Sequence, residues 1–275
     1  KVTDRLYEKI KKNNNTDIFV LEAGSDNNKL SKYATWHEKS SEVKKRGLRF
    51  PRGMNCALHK LWKDKLFKKY DYFFLLTNDT EFKDYKFSKK FTKILKKHPR
   101  IGILSPCSMN WGEKKLLKKE KIKYFWFIHN HAILLKREFI ENIMIKNTKN
   151  YIKFLYDGSN FRGYGTESEL IAKAYINNWS AAITSNVIIN ENESYLLNNS
   201  KEIKTESYDI NIELYIKEGL EWMKKKYGFK SKWSMQMYVK TFYDQFFNYN
   251  PELLKYKILM NKIIKPWGYE QLLEQ

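Results

Sequence analysis

Cysteine is scarce: Cys56 and Cys107 are the only two in 275 residues. Each sits among apolar neighbours and no CxxC pattern occurs, so a disulfide framework is not indicated and free thiols in a reducing compartment are expected. No apolar run approaches the roughly 20 residues needed to cross a bilayer. The opening stretch KVTDRLYEKIKK carries no signal-peptide core. Walker A, GxSxG and HExxH motifs are missing, as are RNP, KH and zinc-finger patterns and any internal repeat. These absences leave a chain read as soluble and cytoplasmic, with peripheral contact to an anionic membrane face left open.

What the chain does have is apolar and basic residues. Hydrophobic residues make up 42%, enough for a sizeable core. Lys and Arg number 52 against 31 Asp and Glu, a formal charge of +21. Such a field favours anionic partners such as nucleotides, nucleic acid or an anionic surface. It is equally the mark of a lysine-rich composition on solvated faces such as 114-KKLLKKEKIK-123.

The apolar spacing predicts an alternation of helices and strands. Val2, Leu6 and Ile10 recur every four residues and predict a helix over 2–12. The run 18-IFVL-21 reads as a short buried strand. A helix over 54–69, a strand over 72–76, a helix over 84–98 ahead of Pro99 and a strand over 101–105 follow. Strands at 124–129 and 131–136, a helix at 167–178 and a strand near 181–189 complete the set. The alternation predicts an α/β domain with a mostly parallel sheet flanked by helices. Past residue 200 the texture turns helical and aromatic over 209–227 and 233–247, a C-terminal helical annex. The expected division is 1–198 and 199–275, with the Asn-rich stretch 190–200 as linker.

Ligands of open parallel sheets gather where strands end at their carboxyl edges, and two strand ends here are acidic. One is Glu22-Ala23-Gly24-Ser25-Asp26; the other is Thr77-Asn78-Asp79-Thr80-Glu81, which terminates the apolar run YDYFFLL. Hard cations take oxygen ligands, often one or two carboxylates plus substrate phosphates, so Asp79 is a candidate metal ligand. Asp79 and Glu81 read equally well as turn caps. A third feature, 156-YDGSNFRGYGTESEL-170, places a glycine-rich loop directly before a helix. Thr166 and Glu169 have the spacing of a capping box. That motif leaves Glu167 over, and a carboxylate at a helix start beside a glycine-rich loop suits a general base.

The order of these features resembles the family-2 glycosyltransferases of the GT-A fold. The matching segments are EAGSD at 22–26, RFPRGMNCAL at 49–58, FFLLTNDTEF at 73–82, HPRIGILSP at 98–106 and GYGTESELIAKAYINNW at 163–179. Together they span roughly residues 1–195. The resemblance implies a nucleotide-sugar-dependent, inverting transferase of polysaccharide biosynthesis, acting on a glycan or lipid-linked hydroxyl with Mn²⁺ or Mg²⁺ as cofactor. Glu22 then matches the acid that meets base or ribose, with Ser25 and Asn78 beside the nucleotide. Arg52 and Asn55 match the pyrophosphate lining, Asp79 the last carboxylate of DxD, and Glu167 the base. Trp111, His129, His131 and Glu169 are candidates for the acceptor or donor side. Trp126 reads as a sugar-stacking ring or as core. His129 and His131 would share a strand face, where they line the cleft, bind metal or sit in the core.

The chain departs from the pattern in four places. Thr77 stands at the first DxD carboxylate, Asn190 near a metal-binding histidine of many relatives, and Thr166 where some relatives carry the first acid. The strand that precedes the first helix in the family would fall upstream of residue 1 or be replaced. Two other functions stand beside the transferase: a basic nucleic-acid-binding module, although no specific nucleic acid is expected, and a catalytically silent GT-A relative that only binds.

Overall fold

The structure is a computed structural model that describes residues 2–108, 117, 120–128, 132–147, 149–191 and 206–258. The fold is α/β, with six strands in one mixed sheet and two in a small separate one. The elements are α1 (Val2–Asn13), β1 (Leu21–Ala23), β2 (Trp36–Glu38), α2 (Ser41–Arg46), α3 (Arg49–Lys63), β3 (Tyr72–Leu76), β4 (Thr80–Phe82) and α4 (Ser88–Lys97). They continue with β5 (Ile101–Ser108), β6 (Ile122–Tyr124), β7 (Ala132–Lys136), α5 (Arg137–Ile143), α6 (Thr166–Ile176), β8 (Ser180–Glu191), α7 (Tyr208–Tyr227) and α8 (Lys232–Tyr249).

The main sheet runs β3-β7-β5-β8-β4, with β6 also on β8. Among the described residues of this sheet only β5 and β8 pair in parallel; β3–β7, β5–β7, β4–β8 and β6–β8 are antiparallel. The expected mostly parallel sheet is therefore corrected to a mixed one. β7 on one side of the parallel β5–β8 pair, and β4 and β6 on the other, run opposite to it, so strand direction reverses at both flanks of the pair. β7 slots antiparallel between β3 and β5. β5 is buried along its whole length, as a central strand covered on both faces must be.

Other boundaries shift. The strand expected at 18–21 forms at Leu21–Ala23 and pairs in parallel with β2, away from the main sheet. Here Glu22 lies mid-strand rather than at its end. α3 begins at Arg49, ahead of the apolar stripe that marked it from Met54, because the stripe shows only the buried face. The strand expected over 124–129 ends at Tyr124: beyond it, the hydroxyl of Tyr175 in α6 donates to the Phe125 carbonyl at 2.6 Å. Of the linker expected over 190–200, Asn190 and Glu191 belong to β8, and 192–200 lie outside the described residues.

α7 and α8 form where the helical annex was expected. α8 shares the main core through Val239, Tyr243, Phe246 and Phe247. The Tyr243 hydroxyl donates to the Tyr124 carbonyl at 3.0 Å, which ties α8 to the end of β6. Trp222 and Met223 of α7 pack with Met235 of α8 in a smaller cluster against Tyr164. No helix among the described residues is long and apolar enough to cross a membrane.

Candidate functional site

The glycine-rich loop before α6 is fixed from below by α3. Asn55 is fully buried. Its amide donates to the carbonyls of Ile152 and Tyr156 at 2.9 and 2.8 Å, and its oxygen accepts from the N–H groups of Leu155 and Tyr156 at 3.0 and 2.9 Å. Those bonds use all the capacity of an asparagine amide. Asn55, expected beside a pyrophosphate, is in this structure a staple for the loop. One turn earlier, Arg52 donates Nε to the Gly158 carbonyl and Nη1 to Glu42, each at 2.8 Å, and stacks on Phe161.

Two glycines shape the entry to α6. Gly163 and Gly165 both have positive φ, +92° and +85°, where a side chain is strained. A Cβ on Gly163 would lie 2.6 Å from Pro51 Cγ, and one on Gly165 would lie 2.4 Å from Met223 Cε. Gly165 is the N-cap of α6. The capping box expected of Thr166 and Glu169 does not form: the Thr166 hydroxyl donates back to the Gly163 carbonyl at 2.8 Å. Glu169 is instead an ion-pair partner.

The acids that follow are buried, and lysines of the C-terminal helices hold them. Glu167 is 4% exposed, with Oε1 2.8 Å from Lys232 Nζ at the start of α8. Glu169 Oε1 takes Lys226 at 2.9 Å and Lys173 at 3.1 Å. Lys226 also reaches Asp157 Oδ2 at 2.6 Å, where the Trp222 indole N–H donates at 3.2 Å. Burial would raise the Asp157 carboxyl, but bonds from Lys226, Ser159 and Trp222 outweigh it and hold the group well below the ordinary carboxylate range. Burial pulls the Lys232 ammonium down, and Glu167 with Tyr215 pushes it further up, for a net rise.

Glu167 keeps one oxygen in reserve. Its Oε2 is buried and makes no hydrogen bond, and the same holds for Ser168 Oγ and Tyr156 Oη. Burial, then the charge of Glu167, raises both the Tyr156 and Tyr215 phenols, which marks the two rings as its neighbours. An ionised carboxylate only accepts. Glu167 Oε2 is therefore an unused acceptor in a dry setting, and the N-terminus of α6 adds a favourable dipole for a charge there.

The other expected residues gather around the first turn of α1. Asp79 lies in the turn between β3 and β4, and its Oδ1 is buried with no hydrogen bond. It lines a small cleft with Val2, Arg5, Leu6, Asn78 and Tyr85. Asn78 donates to Thr3 Oγ1 at 3.3 Å and Arg5 to Glu81 at 2.9 Å. Glu22 accepts from the Ser25 hydroxyl at 2.9 Å and the Ser31 N–H at 3.1 Å, and the Ser31 hydroxyl donates to Asp4 in α1. Glu22, Ser25, Asn78 and Asp79 thus border one helix end. α2 links this group to the loop: a Cβ on Gly24 would lie 2.3 Å from the Val43 carbonyl, and Glu42 next to it binds Arg52.

Among the described residues no group of three or more His, Cys, Asp or Glu side chains is placed to hold a metal. The free Asp79 oxygen fits a cation that takes one protein carboxylate and draws its other oxygens from phosphates and water. Trp126 belongs to the core, 1% exposed and against Tyr243. Trp111, His129 and His131 lie outside the described residues. Sequence reasoning missed Lys226, Lys232, Asp157, Trp222 and Tyr156. Asp157 and Tyr156 stood in the glycine-rich loop already singled out, whereas the lysines were hidden among 52 basic residues. No family model, curated protein or solved structure matches the chain.

Proposed function

We propose that this chain is a glycosyltransferase of GT-A type that moves a sugar from a nucleotide-sugar donor to a hydroxyl acceptor with inversion. The observation that carries the reading is Glu167: a buried carboxylate at a helix start, one oxygen on Lys232 and the other dry and unpartnered. In this reading Glu167 Oε2 accepts the acceptor hydroxyl's proton as that oxygen bonds to the anomeric carbon. The bond from that carbon to the nucleoside diphosphate breaks, and the diphosphate leaves with the electron pair. Asp79 would hold Mn²⁺ or Mg²⁺, which supplies charge stabilisation for the leaving diphosphate. Glu22, Ser25 and Asn78, around the same helix end, would meet the nucleoside. Arg52 supports the loop that leads to Glu167, and Asn55 is left out of ligand contact.

A thermal-shift screen of UDP, GDP, CMP and dTDP with Mn²⁺ tests the donor half. One nucleotide should stabilise the protein by about 2.7 kcal/mol at a hundredfold excess over its dissociation constant, and the gain should vanish in Asp79→Ala. No response to any nucleotide would remove the reading. Binding without turnover on any donor would favour a silent relative.

A further inference from the structure

We propose that Lys226 and Lys232, on either side of the turn that joins α7 to α8, are positioning residues for the acids at the start of α6. The C-terminal helices are then part of the site rather than an appendage to it. The proposal rests on the transferase reading of Glu167.

Four observations support it. Lys232 takes one oxygen of Glu167, Lys226 takes one of Glu169 and one of Asp157, and the two glutamates are far more buried than the lysines, at 5% and 7% against 28% and 37%. Rings hold the ammonium groups in place: Lys232 lies 4.8 Å from the Tyr164 centroid, and Lys226 lies 5.4 and 5.6 Å from Trp222 and Tyr227. The helix backbone is seated directly on the loop, since a Cβ on Gly219 in α7 would lie 2.5 Å from Tyr164 Cβ. Finally, the pairing is incomplete on the acid side, because Glu167 Oε2 stays buried and unpartnered.

A buried ion pair is a weak device for stability, since the desolvation it requires rivals the attraction it gains. What this geometry does achieve is orientation. With Oε1 tied to Lys232, the Glu167 side chain is fixed and its free oxygen has one direction.

The test uses the full chain, with Lys232→Met, Lys232→Arg, Glu167→Gln and the Lys232→Met/Glu167→Gln double variant. Two readouts are taken: denaturant unfolding, and transfer from the nucleotide sugar that the wild type accepts. The unfolding cycle should show that the two residues are coupled. In Lys232→Met, kcat should fall by about 100-fold, the scale of a misplaced catalytic group, with the donor KM unchanged. Lys232→Arg should recover most of the loss. Lys232→Gln replaces the methionine variant if that one does not fold. Coupling in unfolding with kcat unchanged would make the pair a structural tie and overturn the proposal, as would an arginine variant no better than methionine. A wild type that turns over no donor would sink the transferase reading, and the positioning role with it. Wild-type turnover with an unaffected Lys232→Met would sink the positioning role alone.

Discussion

Replacing Asn55 by alanine removes four hydrogen bonds from a fully buried site. The Tyr156 carbonyl and the N–H groups of Leu155 and Tyr156 lose their partners together, whereas the Ile152 carbonyl keeps the Gly158 N–H at 2.8 Å. A buried polar group left unsatisfied costs about 1–3 kcal/mol. Entry of a water into the polar hole would re-satisfy some of them, so the expected loss is about 3 kcal/mol, below the sum of three separate penalties. Urea unfolding should show the midpoint falling with the slope unchanged. Asn55→Asp should also destabilise at neutral pH, because a carboxylate accepts from the two N–H groups but offers nothing to the two carbonyls. A loss below about 1 kcal/mol, with nucleotide affinity reduced instead, would refute the staple and restore Asn55 to the ligand.

Three further outcomes follow from the same geometry. Gly219→Ala forces α7 away from Tyr164, where a Cβ would meet the Tyr164 carbonyl oxygen at 2.7 Å, and should lower stability by about 1–3 kcal/mol in thermal unfolding. Asp157→Asn should cost about 2–3 kcal/mol at pH 7, below the full value of a buried pair because Lys226 is more than a third exposed. The folded-state pKa of Asp157 is depressed, so its contribution is present above the ordinary value of 3.8 and is lost as pH falls below it; the gap between wild type and variant should close on acidification. Burial pushes the Cys56 thiol up to about 11, so native protein at pH 8 should react with a disulfide reagent roughly 100-fold more slowly than unfolded protein.

The sequence made the apolar strands and the late helices legible because their signal is local. YFFLL and IGILS are short apolar runs between turn residues, and both form strands where expected. Strand direction was not legible. Whether β7 returns beside β5 depends on pairing between distant segments, and the run of helix, strand, helix, strand said nothing of a strand inserted between two others. Asp79 and Glu167 could be picked out because each interrupts a pattern: a carboxylate after an apolar run, and an acid that a capping box does not need. The loop contacts of Asn55 were not legible, because an asparagine at a helix start looks the same whether it faces a ligand or a loop backbone. Lys226 and Lys232 had no signal at all, since only tertiary packing separates them from the solvated lysines.

The most direct test of the central claim is the rate of nucleoside diphosphate release from a panel of nucleotide sugars, with Mn²⁺ and a hydroxyl acceptor. Wild-type protein is compared with Glu167→Gln and Asp79→Ala. One donor should be turned over by the wild type, and each variant should be slower by about 100-fold or more while remaining folded. Full activity in both variants would contradict the assignment of Glu167 as base and Asp79 as metal ligand.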